Sequence, residues 1–198
     1  MAIQLLYNKI ALQQFEKGLK IRYAALPTIR SKESALRMQV KKQRSVKNDL
    51  ENDLNKVLKE GNQFGNLWKE WDSDFLGVNT INTQKASFAG VDFRTLDYID
   101  FHISSFYIPS HPLWVIQGIE FVKKLVDLKV RIQLKDDEID ILNRERKRTT
   151  QKLNLYEKVQ IPEYEESIRK IKRFLEDQET LEKATQKIMK KKKELANR

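Results

Sequence analysis

A chain of 198 residues with 33% charged and 40% hydrophobic side chains carries more charge than a compact globule needs and suits long exposed helices. It contains no cysteine, which excludes disulfides, thiolate metal sites and cysteine catalysis. A net charge of +10 admits nucleic acid, anionic lipid or an acidic protein surface as partner, and no apolar run reaches the ~20 residues that span a bilayer.

The opening stretch MAIQLLYNKIALQQFEKG lacks a charged region followed by an apolar one, so no secretory signal is expected. Gly18 is the only glycine before Gly61, and none follows Gly118. Two glycine-poor arms therefore flank a punctuated middle, and the expected divisions are 1–67, 68–112 and 113–198.

Stepping from Leu12 by alternating threes and fours tests the first arm for a coiled-coil seam. The fifteen positions run to Gly61, and ten are apolar, among them Phe15, Leu19, Leu26, Ile29, Leu36, Val40, Leu50 and Leu54. Arg22, Glu33, Gln43 and Lys47 interrupt the stripe, which predicts a weak seam near its centre. An arm from about residue 5 to 58 would be roughly 80 Å long as a helix and needs a partner to cover its stripe.

The middle contains FLGVNTINTQKASFAGV, which reads as a turn-rich loop or hairpin. VDFRTLDYIDFHISSFYI alternates partially and reads as one or two short strands. About 45 residues are too few for a full globular domain and are read as a cap on a helical hairpin. Trp68 and Trp71 lie three apart, as on one helical face. Packing under the insert, together with Trp114, is the first reading of them, and a partner contact is the second.

The second arm supplies the partner helix. Leu125, Leu128, Ile132, Ile139 and Leu142 mark its first half. Ile161, Tyr164, Ile168, Ile171 and Leu175 follow strict three–four spacing. Between them NRERKRTTQK is nearly devoid of apolar residues, which fits a site that faces a partner. Pro162 sits inside the arm, where it removes one helical hydrogen bond and predicts a kink or an altered supercoil. The last thirteen residues carry six basic side chains, Lys190, Lys191, Lys192 and Lys193 among them, against one Glu. The fold class read from these elements is all-α dominated: a long antiparallel two-helix coiled coil with a small β-containing or irregular insert at the hairpin end.

Chemistry-bearing patterns are sparse. Gly61 and Gly65 are not followed by Lys-Ser/Thr, so there is no phosphate cradle. His102 and His111 are read as surface or turn residues. Asp136, Asp137 and Glu138 are consecutive, so on a helix they diverge by about 100° each, and they read as a solvated face. Glu165 and Glu166 suit the first turn of a helix restarting after Pro162. No catalytic residue, cofactor or metal ligand is expected.

The stretch QKLNLYEKVQIPEYEESI, with Asn154, Glu157, Val159, Ile161, Pro162, Glu165, Glu166 and Ile168, resembles a motif of the D subunit of V-type and archaeal-type rotary ATPases. Gln151 and Lys152 stand where that family has paired arginines. Leu142, Glu145 and Thr149 match the approach to the motif. Asn8, Lys9, Leu12, Leu19, Ile29, Lys32 and Leu36 match the family's N-terminal helix, in which Pro27 is a departure. Ala89 to Val91 carries a faint similarity in the insert.

The resemblance implies a non-catalytic central-stalk rotor protein that transmits torque between the ATP chemistry of a catalytic ring and ion translocation. Its implied partners are three A and three B subunits, the small F subunit of the stalk, and a cap protein on the proteolipid ring. It implies no nucleic acid, no direct membrane insertion, and a place on the cytoplasmic face of a membrane. On this resemblance Lys9, Leu12, Asn154, Glu157, Ile161 and Pro162 are expected to face the ring, and the basic tip of Lys190 to Lys193 is expected to meet its carboxylates or backbone carbonyls. Trp68, Trp71 and Trp114 would face the cap or the F subunit. The γ subunit of F-type synthases needs a larger insert. A nucleic-acid or anionic-surface binder needs one continuous basic face, whereas LENDLNKVLKE interleaves both signs. A coiled-coil scaffold without a motor role fits the composition but not the motif.

Overall fold

The computed structural model describes residues 6–103 and 114–196. Helix α1 spans Lys9–Gly61, followed by 3₁₀ segments at Asn62–Glu70 and Ser73–Phe75. Strands β1 (Leu76–Phe88) and β2 (Val91–Ile103) form one antiparallel hairpin, and α2 spans Trp114–Leu155. A π-helical turn at Tyr156–Gln160 then leads into α3, Ile161–Ala196. The chain is mainly helical, with an antiparallel coiled coil and a small two-stranded insert.

Local chemistry explains the boundaries. Asn8 caps α1, its Oδ1 accepting from the Ala11 N–H at 2.7 Å. The helix runs through Pro27. At its far end a Cβ on Gly61 would lie 2.3 Å from Phe121 Cζ, so a larger residue there would have to displace that ring. The hairpin turns on Ala89 and Gly90, both at positive φ (51° and 76°), as a tight two-residue turn of the primed type requires.

The chain divides into two compact units. Unit 2, residues 32–148, has three layers of contact. Leu36 and Val40 of α1, Ile139 and Leu142 of α2, and Val91 and Phe93 of β2 form one buried cluster. The hairpin thus does more than close the helical hairpin: its tip region runs back onto the helix pair. That tertiary support is why both strands reach 13 residues, longer than the short strands expected from the sequence. Residues 104–108 of the expected strand segment, and His111, lie outside the described residues.

Unit 1, residues 1–31 and 149–198, has two helical layers among its described residues. Ala11, Phe15 and Ile171 are buried, with Leu12, Tyr164, Ile168 and Leu175 packed around them. A Cβ on Gly18 would meet Tyr164 Cε1 at 2.6 Å, so this glycine seats the tyrosine ring. In each unit the helices are antiparallel. Lys32 pairs with Glu145 and Lys47 with Asp136 in unit 2, while Tyr7 meets Phe174 and Phe15 meets Tyr164 in unit 1.

The residues that interrupt the seam near its centre have polar partners. Lys135 Nζ bridges Gln43 Oε1 (3.0 Å) and Glu138 Oε2 (2.7 Å). Glu33 is buried and accepts from Arg37 at 2.8 Å. Glu138 is only 2% exposed, so the acidic run is not a solvated face throughout. A buried carboxylate of this kind is tolerated only with its partners in place, which ties the helix pair to one register.

Candidate partner interface

The stretch around Pro162 is built by two helices of unit 1. Arg22 of α1 lies over the Tyr164 ring, 4.0 Å from its centroid, and its Nε donates to Gln160 Oε1 at 2.8 Å. Arg30 pairs with Glu157. The Tyr23 hydroxyl donates to Glu165 Oε1 at 2.6 Å. That hydrogen bond, with a small contribution from burial and from the Glu165 charge, raises the Tyr23 pKa above its ordinary 10.0. Glu157 and Ile161 therefore serve the coil itself, and Ile161 is 7% exposed. Asn154 and Pro162 are exposed, and so are their neighbours Leu155 and Val159.

Lys9 is exposed at the start of α1, and Leu12 is half-buried against the Phe15 cluster. Both line a shallow groove of about 300 Å³ with Leu175, Glu176, Glu179 and Glu182 of α3. The Lys183 ammonium, hydrogen-bonded to Glu179, holds that carboxyl below the usual carboxylate range. From Glu176 to Lys193 every residue of α3 is exposed. Leu181, Ile188 and Leu195 recur at intervals of seven and are 68%, 58% and 72% exposed. Lys190 to Lys193 lie beside them. A helix with a bare heptad stripe and a lysine run presents both apolar and basic contacts to whatever surrounds it.

The three tryptophans come together in unit 2. Trp68 and Trp71 are 5.6 Å apart between ring centroids, and Trp114 lies 5.9 and 6.4 Å from them. Phe64, Phe75 and Phe121 join the cluster. Gly118 makes room for it, since a Cβ there would lie 3.0 Å from Trp71 Cζ3. The Trp68 indole donates to the Gly61 carbonyl at 3.1 Å, tying the 3₁₀ segment to the end of α1. All three rings are half-buried, so they fill the base of the insert and keep an outward edge.

Among the described residues no group of three His, Cys, Asp or Glu gathers where a metal could sit. A cleft of about 500 Å³ between the hairpin and α2 is lined by charges of both signs, Lys85, Arg94 and Arg144 with Asp92, Asp137 and Asp140. Among the described residues no helix is long and apolar enough to cross a membrane. The sequence reading missed Arg22, Tyr23 and Arg30 as partners of the Pro162 region. Their legible signal was polar side chains on or beside a seam.

Comparison with known proteins bears on this arrangement. Residues 11–191 match the family model described as the ATP synthase D subunit. A V-type ATP synthase D subunit of Borreliella burgdorferi is 32% identical over 90% of this chain and 88% of its own. That of Chlamydia pneumoniae is 25% identical over 98% and 96%, and that of Chlamydia abortus 28% identical over 58% and 55%.

Proposed function

Because the chain belongs to the D-subunit family of ATP synthases, we propose that it is the rotating shaft of a V-type ATP synthase. In this reading it is non-catalytic and carries torque between the ATP chemistry of a ring of three A and three B subunits and ion translocation. Nucleotide chemistry then belongs to the A subunits. The observation that carries the proposal is the far part of α3, where an exposed heptad stripe adjoins Lys190 to Lys193. A stripe of that kind on a shaft gives the ring something to grip, and its one-sidedness lets three equivalent sites be held in different states.

The ring-facing set is Lys9, Leu12, Asn154, Pro162 and Lys190 to Lys193, with Glu157 and Ile161 acting through the coil they hold. The half-buried edges of Trp68, Trp71 and Trp114 face the cap protein or the F subunit. The chain sits peripherally on the cytoplasmic face of the membrane, held there by its partners, with no cofactor, nucleic acid or inserted segment of its own.

Two experiments test the reading. Native mass spectrometry of the complex recovered from detergent-treated membranes should give one copy of this chain with three copies each of two large subunits. Recovery alone, as a homo-oligomer or with nucleic acid, would overturn it. Replacing Lys190 to Lys193 by Gln should weaken association with the ring about tenfold at low salt and flatten its salt dependence. Unchanged assembly and turnover across ionic strengths would remove the lysines from the interface.

A further inference from the structure

The two halves of the second arm are out of step by one residue. Threes and fours counted on from Leu125 through Ile139 and Leu142 reach Thr149, Leu153, Tyr156 and Gln160. In unit 1 Thr149 is buried, and Leu153, Tyr156 and Gln160 are half-buried. The next positions in step are Glu163, Ser167, Lys170 and Phe174. Of these only Ser167 is buried. The seam instead continues through Ile161, Tyr164, Ile168, Ile171 and Leu175, each one residue late and each buried or half-buried.

The slip coincides with the π-turn. The Ile161 N–H donates to the Tyr156 carbonyl, five residues back where an α-helix would use four. A turn of this kind accommodates one extra residue while the helix beyond it resumes ordinary α-geometry. Pro162 lies directly after it. Its ring cannot sit against the Lys158 carbonyl four residues back, and it has no N–H to give. A widened turn just before the proline is a way to relieve that clash.

We propose that the π-turn is a one-residue register insertion in the coiled coil, encoded by the shift of the apolar stripe and fixed in place by Pro162. Without it α3 would turn by about 100° relative to its seam, putting Glu163 and Lys170 against α1 and Ile161 and Ile171 toward solvent. It therefore sets the azimuth of everything further along α3, including the exposed stripe of Leu181, Ile188 and Leu195. This inference concerns the fold of unit 1 and stands whether or not the chain turns in a ring.

The test uses paired deletions in the full chain, each combined with Pro162→Ala. Deleting exposed Lys158 removes the extra residue, so a continuous α-helix keeps Ile171 on the seam. Deleting exposed Arg169 removes a residue where none is extra. Because the protein has no cysteine, an Ala11→Cys/Ile171→Cys pair reports the register by oxidative cross-linking. The Lys158 deletion should keep the cross-link within about twofold of the undeleted chain and leave the Tm within about 3 °C. The Arg169 deletion should cut the cross-link about tenfold and lower the Tm by about 10 °C. Equal damage from both deletions, equal tolerance of both, or the reverse order would overturn the proposal.

Discussion

The two units are made from the same helices and are held by different means. In unit 2 the hairpin lays Val91 and Phe93 over Leu36, Val40, Ile139 and Leu142, so the seam is covered on a third side. Among the described residues of unit 1, two helices pack against each other, and Ala11, Phe15 and Ile171 form the buried apolar cluster. A pair of helices cannot enclose much apolar surface, because each seam position is open on its flanks. Unit 1 compensates with directed contacts: Gly18 seating Tyr164, Arg22 over that ring, and Tyr23, Arg30 and Glu16 pairing with Glu165, Glu157 and Lys172. Burial by a third layer supplies stability, and one-to-one contacts supply register.

The largest expected contrast is between two fully buried side chains. Leu142→Ala in the three-layer core should cost about 4 kcal/mol, because strand and helices cannot all collapse into the cavity. Ile171→Ala should cost about 2 kcal/mol, because the flanks of a two-helix seam can close on it. Denaturant unfolding of both variants measures the difference. Equal costs would mean that the third layer adds no rigidity.

An intermediate effect is expected at Glu138, which asks whether unit 2 also relies on directed contacts. Glu138→Gln keeps the shape but removes the charge facing Lys135, and should lower stability by about 1–2 kcal/mol. A neutral result would mean that this charge pair adds nothing to the burial around it.

The smallest effect is at Tyr23. Its folded pKa is raised above 10.0 by the hydrogen bond to Glu165, so the protonated hydroxyl stabilises the fold. That contribution is fully present below pH 10.0 and is lost as pH rises through the folded value. Tyr23→Phe should therefore lower the Tm slightly at pH 8, with the difference shrinking above pH 10. A difference that persists at high pH would assign the loss to packing.

Much of the fold was legible because helical periodicity repeats over many residues. Ten apolar positions in fifteen announced α1, and the strict spacing from Ile161 to Leu175 announced α3. The tryptophans were legible as a cluster because large aromatic rings in a small insert have few other places to go. The two stripes of the second arm also held the π-turn in their one-residue mismatch. It passed unseen because the intervening stretch from Asn143 to Lys152 is nearly free of apolar markers.

The sequence by itself determined the two long helices, the insert between them, the basic end of α3 and the motif around Pro162. These follow from local propensity, periodicity and residue identity, which need no partner to be read. Only the tertiary structure decided that the hairpin folds back over Leu36 and Leu142, that Glu138 is buried with Lys135 and Gln43, and that Arg22 and Arg30 meet Gln160 and Glu157. Apart from Lys135 and Glu138, three positions apart on α2, each of those joins residues tens to more than a hundred positions apart. Their pairing depends on which faces the helices turn toward each other, and a linear pattern fixes such a face only once its register is known.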